Sequence, residues 1–190
     1  KFMGWKGPIL TDSGGFQAFS LAPLKKITEE GIKFNSPIDG AKVNLTPELA
    51  IKIQEELGVD IAMVLDQLVP GDAPEKDHKN AVLRTTRWAE RCRNIHKNKE
   101  MCQFAIVQGG TYEELRELSA SELKEMDFEG YAAGGFCVGE DKKAFRKIAP
   151  FTADLLPEDK PRYLMGVGKP LDLVEAVIWG YDLFDWLEEE

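Results

Sequence analysis

Polar side chains and a glycine pair stand at the ends of the short apolar segments of this chain. Asp12, Asp66, Gln108 and Asp185 each end such a segment, and Gly134-Gly135 ends another. Asp66, Gln108 and a main-chain N–H near the glycine pair could read the polar edge of a purine. Asp12 and Asp185 form a second set, since paired carboxylates suit substitution at an anomeric carbon. Together these residues predict cleavage or exchange of an N-glycosidic bond.

Each of these residues also has an ordinary structural explanation. A single aspartate at the end of a strand is more typical of a helix cap or a turn, and glycine pairs commonly make turns. The chemical interpretation therefore requires all of these residues to meet at one place.

The segments that carry them alternate with amphipathic helices. Strands are predicted at 7–12, 60–66, 103–108, 130–135, 161–165 and 182–185, and helices at 47–57, 77–96, 112–126, 142–155 and 171–179. Thr46 and Pro47 are typical of a helix start and Gly58 of its end, with Leu49, Ile53 and Leu57 on one face. An insert at 27–45 has the alternating pattern of a small antiparallel sheet.

Alternating strands and helices predict an α/β fold with a parallel sheet and right-handed crossovers. We expect an incomplete TIM-type (β/α)8 barrel with insertions, since six strands are predicted and a full barrel has eight. A doubly wound open sheet is the structural alternative. In a parallel barrel the C-terminal ends of all strands lie on one face, so the polar residues would converge there.

Composition limits the classes of partner. The net charge of −9 argues against a strong general RNA binder, because lysine and arginine dominate phosphate contacts. Cys92, Cys102 and Cys137 are scattered, without the spacing of a metal site or a disulfide framework. No apolar stretch has the length of a membrane span or the character of a signal peptide. We expect a cytoplasmic protein without a membrane partner.

Several segments resemble the bacterial-type tRNA-guanine transglycosylase family (queuine tRNA-ribosyltransferases). They are GPILTDSGGFQAFSL at 7–21, NSPIDG at 35–40, RWAERC at 87–92, FAIVQGG at 104–110, GYAAGGFCVGE at 130–140, RYLMGVGKP at 162–170 and GYDLFD at 180–185. The resemblance covers almost the whole chain in order. It implies that 1–185 is a partial catalytic barrel domain from the middle of the barrel. We expect 186–190 to be a non-native tail.

The resemblance also implies a reaction and roles for individual residues. Family members replace guanine at the wobble position of tRNAs with a GUN anticodon by a 7-deazaguanine, through a covalent aspartyl-ribose intermediate. Asp185 matches the nucleophile and Asp12 the general acid/base. The residues that match base-binding positions are Asp66, Gln108, Gly135, Phe16, Met165 and Glu140. Without the resemblance, Phe16 and Met165 would be assigned to the core at the barrel mouth.

The chain departs from the family at three places. Gln67-Leu68 follows Asp66 where bacterial members usually have Glu-Cys, so the preferred base is expected to differ in its 7-substituent. The basic segment that follows the family's nucleophile is replaced after Asp185 by Trp186, Leu187 and three glutamates. The family's C-terminal zinc site of three Cys and one His has no counterpart, so we expect no metal and no other cofactor. A homodimer stays open, because the family's dimer contact involves that region.

Three other functions are alternatives to base exchange in tRNA. The chain could be a truncated, inactive fragment, because an incomplete barrel leaves strand edges unpaired. A non-catalytic partner subunit of the same family is disfavoured by the presence of both Asp12 and Asp185. A glycoside hydrolase with the same carboxylate pair is disfavoured by the purine-reading set of Asp66, Gln108 and Gly135.

Overall fold

The computed structural model describes residues 3–21, 26–136 and 142–186. Its strands, in chain order, are β1 (Leu10–Thr11), β2 (Lys26–Ile27), β3 (Ile32–Asn35), β4 (Lys42–Leu45), β5 (Ile61–Met63), β6 (Cys102–Val107), β7 (Gly130–Ala133), β8 (Arg162–Leu164) and β9 (Leu183–Phe184). Its helices are α1 (Gly15–Leu21), α2 (Pro47–Leu57), α3 (Glu75–Ile95), α4 (Glu113–Lys124), α5 (Lys142–Leu155) and α6 (Pro170–Ile178).

Six strands form one parallel sheet in the order β1-β5-β6-β7-β8-β9. Every strand pairs with the next one along the chain, from Leu10 opposite Ile61 to Leu164 opposite Phe184. A doubly wound sheet reverses its strand order at a switch point, and this sheet has no reversal. The described chain is therefore an incomplete TIM-type barrel, as the sequence predicts.

The predicted insert is confirmed as a separate antiparallel sheet of β2, β3 and β4. Two arginines of α3 hold the insert and the start of α2, each with a bidentate contact to one glutamate. Arg87 binds Glu29, and Arg91 binds Glu48 at the start of α2, with nitrogen–oxygen distances of 2.6–2.8 Å. The insert thus packs against the outer layer of helices.

The caps of α2 are confirmed, but its buried face differs from the apolar face that the sequence suggests. Thr46 accepts a hydrogen bond from the Leu49 N–H, and Gly58 adopts the left-handed conformation, with φ of 71°. Leu49, Ile53 and Leu57 are exposed, whereas Ala50, Ile51 and Gln54 are buried against the sheet. Periodicity identified the apolar side chains of the helix but not the side that packs.

Helix α1 has no counterpart among the predicted elements. It has only seven residues, and the Ser13-Gly14-Gly15 sequence at its start is typical of a turn. The Ala18 N–H donates to the Gly14 carbonyl, which starts the helix immediately after the turn. A helix this short carries too little periodicity to be distinguished from a loop.

The hydrophobic core lies between the parallel sheet and its helices. Phe104, Ile106, Trp88 and Tyr131 are almost fully buried there. Helix α6, next to the β9 edge of the sheet, keeps Leu171, Val174, Val177 and Ile178 exposed. No helix within the described residues has the length and apolar character to cross a membrane.

Candidate active site

The parallel sheet brings the predicted polar residues to one face. Asp12, Gln108 and Asp185 each follow their strand directly, and Asp66 lies three residues beyond β5. Gly134-Gly135 follows β7. Because parallel strands present their C-terminal ends on the same side, these residues surround the mouth of the barrel.

Asp66 and Gln108 form a buried pair at this mouth. The Gln108 Nε2 donates to Asp66 Oδ2 at 2.6 Å, and the exposed fractions of the two residues are 4% and 5%. Burial raises the pKa of Asp66 to about 7, and the nearby negative charge of Asp12 adds to the rise, while the Gln108 hydrogen bond opposes it. A carboxyl group of this pKa changes its protonation near neutral pH, which is typical of functional sites.

Gly135 lies against the same glutamine and leaves no space for a side chain. A Cβ atom there would come within 2.5 Å of Gln108 Oε1, and the φ of 72° also favours glycine. The preceding residue is packed as tightly, since a Cβ on Gly134 would lie 3.0 Å from Gln108 Nε2. The glycine pair therefore lets the main chain approach the Gln108 carboxamide closely.

Asp185 is held by two donors that both reach Oδ1. The Tyr163 hydroxyl donates at 2.7 Å and the Gly166 N–H at 2.9 Å. Burial raises the pKa of Tyr163, as does its hydrogen bond to Asp185, so its hydroxyl remains a donor at neutral pH. Tyr163 was not predicted from the sequence, although its place two residues before Met165 in the RYLMGVGKP segment was a usable signal.

The Asp12 carboxyl group lies close enough to Asp66 and Asp185 for the negative charges to interact. The Asp12 residue is exposed to solvent. Protein atoms around its carboxyl group nevertheless desolvate that group, and this raises its pKa. The negative charge of Asp185 raises it further, and a hydrogen bond with Gln17 opposes the rise. The mouth thus gathers three carboxyl groups whose like charges are only partly compensated.

Gln54 was also missed, and it links the strands that precede Asp12 and Asp66. Its Oε1 accepts from the Thr11 hydroxyl and the Met63 N–H, each at 3.0 Å. Its Nε2 donates to the carbonyls of Met63 and Ala50, also at 3.0 Å. The side chain lies on α2, and a buried glutamine on an amphipathic helix was the available signal.

The structure describes two of the three remaining residues that are predicted to bind the base. Phe16 lies on α1 and is 42% exposed, and Met165 is half-buried against the core, its sulfur 3.7 Å from where a Cβ of Gly134 would lie. Glu140 lies outside the described residues, as do residues 187–190 of the predicted tail. Trp186, at the start of that tail, packs against Gly168.

The loop after Asp66 is fixed by α3. The Gln67 N–H donates to the Thr85 hydroxyl at 3.0 Å, and Arg84 donates to the Gln67 side chain. Leu68 is half-buried next to these contacts. The segment where this chain departs from the family is therefore held by side chains of a long helix.

A cavity of about 330 Å³ lies on the other side of Asp12. Its lining is mostly apolar and comes from the insert, from α2 and from the segment that runs from Asp12 into α1, with Phe34, Leu45, Ile53 and Ala18 among its residues. Asp12 lines it, but Asp66, Gln108 and Gly135 do not. We therefore do not assign the purine to this cavity.

Two of the three cysteines lie within the described residues. Cys92 is buried, which raises the pKa of its thiol to about 12, and Cys102 is exposed on β6. Within residues 3–21, 26–136 and 142–186, no group of three or more His, Cys, Asp or Glu side chains could hold a metal ion.

Comparisons with known proteins identify the family of this chain. A family model described as "Queuine tRNA-ribosyltransferase" matches residues 1–187. Curated proteins named queuine tRNA-ribosyltransferase include one from Desulforamulus reducens, 54% identical over 97% of this chain and 50% of its own length. Another, from Francisella tularensis subsp. novicida, is 53% identical over 97% and 50%. A third, from Marinobacter nauticus, is 52% identical over 97% and 49%. The chain spans about half the length of these relatives.

Proposed function

The chain belongs to the queuine tRNA-ribosyltransferase family, and from that premise we propose that it is the central part of a barrel that exchanges guanine in tRNA for a 7-deazaguanine. The guanine is that of the wobble position in tRNAs with a GUN anticodon. The observation that carries the proposal is the meeting of Asp12, Asp185 and the Asp66–Gln108 pair at one barrel mouth.

The purine is assigned to the buried side of this mouth. Asp66 supplies a carboxylate acceptor, Gln108 a carboxamide that both donates and accepts, and Gly135 a main-chain N–H. The Gln108–Asp66 hydrogen bond supports this assignment, because it holds both side chains in place before a ligand arrives. Phe16, Met165 and Glu140 complete the proposed base-binding set, with Phe16 stacking on the base.

Asp185 is the proposed nucleophile, acting through its second oxygen. Tyr163 and Gly166 both contact Oδ1, which leaves Oδ2 as the atom we assign to attack. In the first step Oδ2 bonds to C1′ of the ribose, the bond from C1′ to guanine breaks, and the leaving base takes a proton from Asp12. The raised pKa of Asp12 supports this role, because it favours the protonated form that a general acid needs.

The second step reverses the first with a different base. The incoming 7-deazaguanine gives its ring N–H proton to Asp12, its nitrogen bonds to C1′, and the bond to Asp185 breaks. Asp12 ends the cycle protonated, as it began. The two carboxyl groups thus take the separate roles that reactions at an anomeric carbon require.

The test is incorporation of labelled guanine into unmodified tRNA with a GUN anticodon. We expect exchange by the unmodified chain and a loss of about a thousandfold or more in Asp185→Ala, because no covalent intermediate can form. Asp159→Ala, an exposed aspartate outside the mouth, is the matched control and should exchange normally. Equal rates in Asp185→Ala and the control would contradict the mechanism.

A second candidate is a fragment that is inactive without the rest of its protein. The exposed apolar side chains of α2 and α6 favour it, because those helices flank the two open edges of the parallel sheet. Binding of free guanine without exchange would support this alternative over the active enzyme.

We further propose that the base pocket accepts a different 7-substituent from the usual bacterial precursor base. The support is Leu68, which lies two residues after Asp66 where a smaller cysteine is usual, in a loop held by the contacts of Gln67. Competition binding of guanine, 7-aminomethyl-7-deazaguanine and queuine would test it, with Leu68→Cys as the control. We expect Leu68→Cys to bind 7-aminomethyl-7-deazaguanine more tightly than the unmodified chain does. The ordinary bacterial ranking in the unmodified chain would contradict the proposal.

A further inference from the structure

A fully buried arginine joins the two loops that carry Gln108 and Gly135. Arg116 lies on α4 and has an exposed fraction of 0%. Its Nε donates to the Gly110 carbonyl at 2.9 Å, and its Nη1 donates to the carbonyls of Val107 at 2.9 Å and Gly134 at 2.8 Å. These carbonyls belong to the C-terminal ends of β6 and β7 and the loops that follow them, where the purine edge is assigned.

The guanidinium is also packed against the second loop. Its central carbon lies 4.3 Å from the centroid of the Phe136 ring, directly after Gly135. Desolvating a cation costs several kcal/mol, and planar contacts with carbonyls and an aromatic face offset that cost. Lysine could not make the same contacts. Its charge is on a single ammonium group, whereas the planar guanidinium of Arg116 donates from two nitrogens to three carbonyls.

The contact with Gly134 fixes the direction of the next N–H. The Gly134 carbonyl and the Gly135 N–H belong to one planar trans peptide unit and point in opposite directions. Because Arg116 holds the carbonyl, the Gly135 N–H must point away from Arg116. Glycine residues on both sides of a peptide give it little resistance to rotation, so an external contact is needed to fix it.

We propose that Arg116 is a positioning residue that sets the orientation of the Gly134–Gly135 peptide, so that the Gly135 N–H donates to a carbonyl oxygen on the bound purine. This inference rests on the proposed function and makes it more specific. Selection of 6-oxopurines over purines without that oxygen depends on Arg116, although Arg116 does not touch the base.

The test is the ratio of affinities for guanine and 2-aminopurine, which lacks the 6-oxo group, measured by equilibrium binding to the full chain. We expect the unmodified chain to bind guanine more tightly than 2-aminopurine. In Arg116→Lys we expect this affinity ratio to fall about tenfold, which corresponds to the loss of roughly one hydrogen bond. Arg146→Lys is the matched control, since Arg146 makes a partly exposed ion pair with Glu175, and it should keep the ratio. A purely structural Arg116 would lower the melting temperature and leave the ratio unchanged.

A second variant tests the inference if Arg116→Lys does not fold. Phe136→Leu keeps the guanidinium and removes the ring that it packs against, so we expect a smaller loss of preference in the same direction. An unchanged ratio in the variant that folds would overturn the role of Arg116. Binding of neither ligand by the unmodified chain would instead show that the proposed purine site is wrong, and this inference with it.

Discussion

Two groups of carboxylates in this molecule have opposite electrostatic environments. At the barrel mouth, Asp12 and Asp66 lie near other negative charges and among desolvating atoms, and their pKa values are raised. Beside α3, Glu29 of the insert and Glu48 of α2 each bind an arginine of that helix through two hydrogen bonds, and their pKa values are lowered. The carboxyl group is the same in both places, but its surroundings oppose its ionisation at the mouth and favour its ionisation beside α3.

The difference separates a functional site from a structural contact. Glu29 and Glu48 have their charges satisfied locally, since Arg87 and Arg91 are ordinary partners at a partly exposed surface. At the mouth, desolvation and neighbouring carboxyl groups disfavour the charged forms of Asp12 and Asp66, and such an arrangement lowers stability unless a ligand or a reaction uses it. Residue type alone does not distinguish the two groups.

The largest expected effect is on the reaction rate. Asp12→Asn should slow guanine exchange about 100- to 10,000-fold, because the amide cannot carry a proton to and from the base. Glu29→Gln, the matched change at the insert, should leave the rate unchanged. Single-turnover exchange with labelled guanine would measure both. Equal rates in the two variants would remove the functional distinction between the mouth and the insert.

The next effect is on stability and its pH dependence. Because the folded pKa of Asp66 is about 7 against an ordinary 3.8, the folded state binds more protons between these values and loses stability as pH rises through that window. At about 1.4 kcal/mol per pKa unit, the loss is at most about 4 kcal/mol. Asp66→Asn should therefore unfold at higher urea than the unmodified chain at pH 8, with little difference at pH 4. A parallel pH profile for the two chains would refute the raised pKa.

The smallest effect has the opposite sign and comes from the contact of α2 with α3. The lowered pKa of Glu48 means that its contribution to stability is present above the ordinary glutamate value of 4.5 and is lost as pH falls through the lowered folded value. Glu48→Gln should cost about 1 kcal/mol or less at pH 7, because the pair with Arg91 is partly exposed and screened by salt. Urea unfolding at low and high salt would measure it, and a cost that does not change with salt would contradict an ionic contribution.

Much of the fold could be predicted from the sequence. Helix caps such as Thr46 and Gly58, and the alternation of apolar strands with helices, are local signals that the tertiary structure did not override. Helix α1 and the packing side of α2 could not be predicted. The first is too short to show a period, and the second depends on which neighbours the helix meets.

The candidate site also contains some residues that could be predicted from the sequence and others that could not. Asp12, Asp66, Gln108 and Asp185 could be chosen because each ends an apolar segment, and a parallel sheet brings such ends to one face. Tyr163, Gln54 and Arg116 could not be chosen in this way, because none of them ends an apolar segment and their importance comes from contacts 22, 43 and 18 residues away along the chain. No local pattern encodes a partner at that separation.

The alternation of elements, the parallel sheet and the residues that end its strands follow from local periodicity and from where turns begin, so they can be read from the sequence. The protonation behaviour of those residues becomes visible only after folding. A pKa depends on burial and on charges brought near by folding, as the contrast between Asp66 and Glu48 shows.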